Sequence, residues 1–293
     1  MSFGWITFLS DYGLDDAFVG VCHGVMARLA PAVRVIDVCH QIAPQDVEQG
    51  ATTLASAVEY LPEAIHLGIV DPGVGTSRRG VAVLTAQGSI TVGPDNGVAS
   101  LAWRSLGGAI KAHCIENDAL WLANPAKTFH GRDIFAPVAA HLANGIALSD
   151  VGEEVDVDSL SNVTLRPPTV DDDHVHGEVW SVDHFGNLSL NVHRSDLEAA
   201  GMNLGDTVEL RLHGRTLQVP FTVTFGEVPP GRVAVCEDSY RRITVAVNLG
   251  HAAKTLRAVR GDPVVISRAP RVASFVQEPI GILEPPPQPS TMS

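Results

Sequence analysis

The feature that most constrains the fold of this chain is a change of hydrophobic pattern near residue 166. Before that point, short apolar runs alternate with segments of helical periodicity, which is typical of a parallel sheet covered by helices. The predicted strands are residues 5–10, 33–38, 64–70, 81–85, 89–92 and 110–114. The predicted helices are residues 16–30, 46–60 and 131–143, and Pro137 should end or kink the last of them in its first turn.

After the Pro-containing segment 166–169 and the acidic run 171–173, the pattern changes to short strands separated by Gly, Asp and Asn. These predicted strands are residues 177–182, 188–191, 207–212, 215–219, 232–236, 243–247 and 264–267. Such spacing predicts a small antiparallel β-barrel or sandwich. The expected domains are therefore an α/β domain, a β-barrel domain and a disordered Pro-rich tail, over residues 1–166, 174–283 and 284–293.

Charge and composition exclude several classes of function. The 293-residue chain has a formal net charge of −13 and a pI near 5.3, so it lacks the clustered Lys and Arg that nucleic-acid binding requires. A cationic small molecule suits this charge better. The start of the chain has no basic region typical of a signal peptide, and no apolar run approaches the ~20 residues that span a bilayer. We expect a cytoplasmic protein with neither a nucleic-acid nor a membrane partner.

No motif in the sequence requires a metal or an organic cofactor. The cysteines are scattered without a CxxC pair, which predicts reduced, buried thiols rather than a zinc site or disulfides. His174 and His176 follow three aspartates, but alternation along the start of a strand explains them more simply than metal binding does. A GxGxxG dinucleotide fingerprint and a GxSxG nucleophile elbow are both absent from the sequence.

Polar loops follow three of the predicted strands: residues 10–13 (SDYG), 71–75 (DPGVG) and 93–97 (GPDNG). In open α/β sheets, ligands bind at the carboxyl ends of the strands. Asp71 should stand at a strand tip, and the Gly-rich loop after it could fold Arg78 back toward it. The alternative is an ordinary turn, in which Asp71 caps the amides of Gly73 or Thr76 and Arg78 lies on the surface.

Other candidates also have both a functional and a structural interpretation. His130 opens a predicted helix and could accept a proton near neutral pH, although a single His is more often structural. Asp11 could bind both hydroxyls of a ribose, whereas Asp15 or Asp16 would serve as a helix N-cap. Residues 183–187 (DHFGN) combine an acid, an aromatic ring and an amide suited to a purine, and a hairpin turn in the same segment competes with that interpretation.

Six segments carry a resemblance to a known family. They are residues 7–13 (TFLSDYG), 70–75 (VDPGVG), 93–97 (GPDNG), 129–133 (FHGRD), 183–187 (DHFGN) and 246–248 (AVN). Together they resemble the adenosine-forming S-adenosyl-L-methionine (SAM) hydrolases, also called SAM hydroxide adenosyltransferases, which are relatives of the SAM-dependent fluorinase and chlorinase. The resemblance runs in order from residue 5 to about residue 268, so it is more specific than any single motif.

The resemblance implies a Rossmann-like first domain, a β-barrel second domain and a homotrimer. SAM would lie between the first domain of one subunit and the second domain of its neighbour. The attacking water would be held by Asp71, Arg78 and His130, and the ribose diol by Asp11. The other substrate contacts would be Phe185 and Asn187 at the adenine, Asp183 and Ser239 at the methionine end, and the backbone of Val247 and Leu249 at the adenine edge.

The same resemblance favours water over a halide as the nucleophile. The halogenating relatives have Tyr where this chain has Asp71, and the fluorinase has Tyr and Ser at the positions of His130 and Gly131. Two departures affect the outer contacts. The fluorinase has Arg where Tyr240 stands, and the hydrolases often have Glu at the position aligned with Thr244.

The implied reaction is hydrolysis of SAM at the ribose C5′ carbon to adenosine and L-methionine, with no cofactor. The sulfonium is already an activated leaving group, and a dry pocket favours attack of hydroxide on a cation. Arg78 would stabilise the hydroxide, and either His130 or Asp71 would accept the proton. The alternatives are a SAM halogenase, although Asp71 would repel a halide, a non-catalytic SAM or adenosine sensor, and a metallohydrolase that uses some of the twelve His.

Overall fold

The structure, a computed structural model, describes residues 2–269. The chain divides into two compact units between Arg166 and Pro167, and each unit is built on its own sheet. The predicted tail and the last part of the predicted second domain, residues 270–283, lie outside the described residues.

The first unit contains a seven-stranded sheet in the order β2-β1-β3-β5-β4-β6-β7. Its strands are β1 (Trp5–Ser10), β2 (Arg34–Cys39), β3 (Ile65–Ile69), β4 (Gly80–Thr85), β5 (Ile90–Pro94), β6 (Ala109–Cys114) and β7 (Glu154–Val155). The neighbours β2, β1, β3 and β5 run parallel, as the sequence predicted, while β4, β6 and β7 extend the sheet antiparallel. The antiparallel step arises because only residues 86–89 connect β4 to β5, and so short a connection permits a hairpin but not a crossover.

Helices cover both faces of this sheet. They are α1 (Phe18–Leu29), α2 (Val47–Val58), α3 (Ser100–Ser105) and α4 (Ala136–Ala143), of which α3 was not predicted. Phe8 and Leu9 are adjacent in β1, so their side chains point to opposite faces, and they belong to separate apolar clusters. Phe8 lies in the cluster formed with α1 and α4, and Leu9 lies in the one formed with α2 and α3.

Two predictions about helix starts are corrected by the structure. Neither Asp15 nor Asp16 caps α1, because this helix begins at Phe18 with Ala17 as its N-cap and without a side-chain hydrogen bond. The predicted helix 131–143 is divided: Gly131–Phe135 forms a π-helical turn, and α4 begins at Ala136. Pro137 therefore falls in the first turn of α4, directly after the π-helical turn.

The second unit contains an eight-stranded antiparallel sheet that is nearly closed into a barrel. Its strands are β8 (Thr169–Asp171), β9 (His174–Val182), β10 (Leu188–His193), β11 (Thr207–Leu212), β12 (Arg215–Pro220), β13 (Val233–Glu237), β14 (Arg242–Val247) and β15 (Pro263–Arg268). Its order is β12-β11-β15-β9-β10-β14-β13, with β8 beside β9, and a bridge from Phe221 to Val235 joins the two ends. All seven predicted strands are confirmed, and the short helices α5 (Arg194–Ala199) and α6 (Ala252–Leu256) lie between them.

The cysteines agree with the prediction of reduced thiols. Cys22, Cys114 and Cys236 are buried, Cys39 is half-buried, and all four are free. Burial raises the pKa of the Cys22 thiol to about 12 and that of Cys236 to about 11. In the described part of the chain, no helix is long and apolar enough to cross a membrane.

Candidate active site

Two carboxylates stand where neighbouring parallel strands end. β1 and β3 pair with Ser10 opposite Ile69, so the residues that follow them lie at the same edge of the sheet. Asp11 follows β1 directly, and its amide donates to the carbonyl of Ile69 at 3.3 Å. Asp71 follows β3 after one further residue. This is the edge at which open α/β sheets bind ligands.

Arg78 folds back over the Gly-rich loop and pairs with Asp71. Its Nε donates to Oδ1 and Oδ2 of Asp71 at 2.9 and 3.1 Å, and its Nη2 donates to Oδ2 as well. The side chains are only 14% and 7% exposed, so the alternative that places Arg78 on the surface is wrong. Two glycines permit this fold: a Cβ on Gly73 would crowd Arg78 Cγ at 3.0 Å, and Gly75 has φ +77 against the carbonyl of Lys127.

The same guanidinium also contacts His130. Arg78 Nη2 lies 2.9 Å from His130 Nδ1, and because an arginine can only donate, Nδ1 is the acceptor and the ring proton sits on Nε2. Burial, and then the positive charge of Arg78, lower the pKa of His130 below its ordinary value. His130 is therefore a neutral imidazole near pH 7, with an N–H donor at Nε2. The guanidinium carbon of Arg78 lies over the ring of Phe135, at the end of the π-helical turn, 5.0 Å from the ring centroid.

Tyr12 is a further residue of this cluster, although it was not predicted as a site residue. Its hydroxyl lies where a Cβ on Gly131 would project, so only glycine fits beside it. The ring packs against Phe18 and Phe129 at centroid distances of 5.9 and 5.6 Å. Burial, and then the charges of neighbouring groups that include Asp11 and Asp71, raise the pKa of the phenol. The Tyr12 hydroxyl is therefore neutral. The only signal in the sequence was the place of Tyr12 within the polar segment SDYG.

The remaining acidic candidates of the first unit separate into two groups. Asp11 accepts a hydrogen bond from the amide of Gln45 at 2.8 Å on Oδ2, while its Oδ1 has no donor among residues 2–269. Asp15 and Asp16 are exposed.

The third polar loop contributes to the position of Asp71. In this loop, Asn96 donates from Nδ2 to the carbonyl of Val70 at 2.7 Å, which holds the backbone immediately before Asp71.

In the second unit, residues 183–187 form the turn between β9 and β10. Asp183 accepts hydrogen bonds from the amide and from Nδ2 of Asn187, both at 2.8 Å. Gly186 has φ +86, and a side chain there would collide with the ring of His251. Phe185 stands out of this turn and is 74% exposed. The hairpin interpretation is therefore correct, and the turn presents an aromatic face beside the paired Asp and Asn.

The other predicted contacts of the second unit lie at the ends of β13 and β14. Ser239 is exposed in the turn between these strands. Val247 ends β14, is buried, and its carbonyl accepts a hydrogen bond from Gly250 at 3.0 Å. Leu249 has φ +51 and is 86% exposed. Thr244, which stands where the hydrolases often have Glu, donates to the carbonyl of Leu188 at 3.0 Å and so links β14 to β10.

The described residues thus define a class of protein: an α/β unit with an Asp–Arg–His cluster at the carboxyl edge of its parallel strands, followed by a barrel-like antiparallel unit. Two family models match this chain, the SAM hydroxide adenosyltransferase N-terminal domain over residues 6–152 and the C-terminal domain over residues 177–265. The chain belongs to the SAM hydroxide adenosyltransferase family, as its motifs predicted.

Its relatives include both hydrolases and halogenases. The (R)-S-adenosyl-L-methionine hydrolase of Salinispora arenicola is 46% identical over 265 residues, which cover 90% of this chain and 97% of that protein. A fluorinase of an Actinoplanes species is 30% identical over 291 residues, with 90% of this chain and 97% of that protein covered. The crystal structure of a conserved protein from Thermotoga maritima matches with a TM-score of 0.84 and 37% identity, covering 90% of this chain and all of that one.

Proposed function

We propose that this protein hydrolyses SAM at the ribose C5′ carbon and releases adenosine and L-methionine. The observation that carries the proposal is the contact of one guanidinium, Arg78, with both Asp71 and His130 at the edge of the sheet. Relatives that are 46% and 42% identical are named (R)-S-adenosyl-L-methionine hydrolases, and the fluorinase relative is only 30% identical.

The cluster can hold and activate a water molecule. Neutral His130 donates from Nε2 to the water oxygen, and Arg78 supplies positive charge that stabilises hydroxide character there. A water lone pair attacks C5′, the C5′–S bond breaks, and its electron pair stays on sulfur as the thioether of methionine. Asp71 accepts the proton that the attacking oxygen loses, because its carboxylate oxygens have lone pairs beyond those that Arg78 contacts, whereas the single lone pair on Nδ1 of His130 is already occupied. The net products are adenosine, methionine and one proton.

The same cluster disfavours a halide. The Asp71 carboxylate repels an anion at short range. The Tyr12 hydroxyl fills the space beside Gly131, so the absence of a side chain at residue 131 leaves no gap there for chloride. These two observations rank the halogenase alternative below hydrolysis.

The proposal extends to substrate contacts and assembly, and these rest on the resemblance. Asp11, whose Oδ1 lacks a donor among residues 2–269, would bind the ribose diol. The adenine and methionine contacts would be those already assigned to the second unit, namely Asp183, Phe185, Asn187, Ser239 and the backbone of Val247 and Leu249.

We propose a cytoplasmic homotrimer. Exposed apolar side chains such as Phe185 and Leu249 support burial by a ligand or a neighbouring subunit.

The reaction is tested by incubating the protein with each sulfonium epimer of SAM in heavy-oxygen water. We expect equal amounts of adenosine and methionine, heavy oxygen at the adenosine 5′ position, and faster turnover of the (R) epimer that the relatives' names specify. Added chelator should not change the rate. A 5′-halogenated product with chloride present, or binding of SAM without any adenosine, would contradict hydrolysis and favour the halogenase or the sensor.

The assembly is tested separately. Native mass should correspond to three chains. Mixing the inactive variants Asp71→Ala and Asn187→Ala, after dissociation and reassembly, should restore part of the activity, because some interfaces would then carry neither lesion. If mixed trimers form and stay inactive, the shared site is wrong while hydrolysis itself is unaffected.

A further inference from the structure

Three side chains that the proposed reaction does not use converge on one point in the first unit. They are His23 in α1, Asp37 in β2 and His40 immediately after β2. Nε2 of His23 and Nε2 of His40 lie 2.7 and 3.0 Å from the same oxygen, Oδ1 of Asp37. One nitrogen or oxygen of each residue lies within 4.8 Å of the others. We call this set the His–Asp–His cluster.

The cluster contains the donor atoms of a transition-metal site. Asp37 offers a carboxylate oxygen, and each imidazole offers one ring nitrogen. Two imidazoles and one carboxylate, with water completing a tetrahedron, form a typical zinc ligand set. Ligand atoms about 2.0–2.1 Å from zinc lie about 3.3 Å from one another. The distances from Asp37 Oδ1 to the two Nε2 atoms, 2.7 and 3.0 Å, would widen by about 0.6 and about 0.3 Å, and the two nitrogens already lie within 4.8 Å of each other.

Ser10 can orient the His40 ring both when the cluster is empty and when it binds a metal ion. Its hydroxyl lies 2.8 Å from Nδ1 of His40 and accepts a hydrogen bond from the amide of Tyr12 at 3.3 Å. When Nε2 carries the proton, His40 donates to Asp37. When the proton moves to Nδ1, that N–H donates to Ser10 and the Nε2 lone pair is free for a metal. Metal-binding histidines are commonly held in this way by a partner on the other ring nitrogen.

The His–Asp–His cluster packs against a buried aromatic ring on one side and is open to solvent on the other. Both imidazoles pack beside the buried ring of Phe8, at centroid distances of 6.1 Å for His23 and 4.6 Å for His40. The His40 side chain is 3% exposed, whereas His23 and Asp37 are 34% and 47% exposed. One ligand is thus fixed from within the fold, and two can adjust their positions as an ion enters.

We propose that His23, Asp37 and His40 bind one divalent transition-metal ion, with Zn²⁺ as the best match. The ion would join α1 to β2 and hold His40 against Ser10, the residue before Asp11. Its role would be structural, since the proposed hydrolysis needs no metal. Binding can therefore be measured with no reference to activity, and its failure would leave the proposed function untouched.

The experiment is titration of the full chain, first stripped with chelator, with Zn²⁺ by calorimetry and with Co²⁺ by visible absorption. We expect one ion per chain, tetrahedral Co²⁺ bands, and a melting temperature that rises with Zn²⁺ concentration. His23→Gln keeps an amide donor for Asp37 but removes the ligand, so it should abolish all three signals. Ser10→Ala should weaken binding about 10–100-fold, as expected when the group that orients a ligand is lost.

The matched control is His176→Gln, because Nε2 of His176 also contacts a carboxylate, Asp171, at 3.1 Å on an exposed surface. This variant should bind Zn²⁺ as the parent does. If His23→Gln melts much lower than the parent without metal, Asp37→Asn provides the same comparison with a smaller change of shape. Equal affinity in the parent and in both cluster variants, or an ion lost on His176→Gln instead, would overturn the proposal.

Discussion

The hydroxyl of Tyr12 occupies the space into which any side chain at Gly131 would project. Tyr12 follows β1 and Gly131 begins the π-helical turn after His130, so this contact joins two separate elements of the candidate site. The pair therefore determines how closely the His130 segment approaches the end of β1.

We predict strong coupling between these two positions. Gly131→Ala should destabilise the protein by about 1–3 kcal/mol, because the added methyl group overpacks the contact. In the Tyr12→Phe background the same change should cost less, since the clashing oxygen is gone, although the ring carbon would still be only 3.0 Å away. Urea unfolding of the two single variants and the double variant measures the coupling energy, expected to be at least 0.5 kcal/mol. Additive effects would show that the contact is not formed.

Arg78→Lys should lower kcat by about 10²-fold or more while leaving SAM binding much less affected. A lysine ammonium cannot reproduce the planar fork that contacts both oxygens of Asp71 and Nδ1 of His130. Single-turnover kinetics and equilibrium binding separate the two effects. The neighbouring Arg79→Lys is the control, because Arg79 pairs with Asp95 instead and should keep near-parental turnover. Similar losses in both variants would indicate a general effect of charge or folding.

Turnover should fall in acid with a midpoint below the ordinary histidine pKa of 6.5, because burial and Arg78 lower the pKa of His130. Protonation at Nδ1 removes the acceptor that Arg78 uses and places a second positive charge beside it. The pH profile of kcat tests this expectation. His141→Gln is the control, because burial lowers the pKa of His141 too and its loss should leave the acid limb in place. An acid limb at or above 6.5 would contradict the assignment.

His66 should make the fold sensitive to acid. It is fully buried in β3, Thr7 Oγ1 lies 2.8 Å from its Nδ1, and its Nε2 has no partner within residues 2–269. Burial lowers its pKa from 6.5 to about 4. The unfolded chain then gains a proton near pH 6.5 and the native state only near pH 4, so the free energy of unfolding decreases by up to about 3 kcal/mol as the pH falls through that window.

Urea unfolding at several pH values between 7 and 4 measures this effect. His66→Gln has no titrating group, so its stability should fall by less than that of the parent over the same window. His174→Gln, at a half-exposed position, should follow the parent. Parallel curves for the parent and His66→Gln would show that His66 takes up its proton equally well in the native state.

Much of the fold could be predicted because its strands are short apolar runs bounded by turn residues. The strands Trp5–Ser10 and Thr207–Leu212 match their predicted limits. The antiparallel addition of β4, β6 and β7 was not predicted, because a local pattern identifies a strand but not its neighbour. The π-helical turn at Gly131–Phe135 was missed for a similar reason, since its residues have ordinary helical spacing.

The sequence by itself determined the family and the residue types of the candidate site, because each motif near Asp71, Arg78 or His130 is an unbroken segment of the chain that can be recognised locally. Only the tertiary structure decided which atoms meet. Arg78 could have pointed to solvent, and the tautomer of His130 follows from a contact across 52 residues. The Tyr12 and Gly131 contact and the His–Asp–His cluster join residues from separate elements. Such contacts depend on how strands and helices pack in three dimensions, and no local sequence pattern specifies that packing.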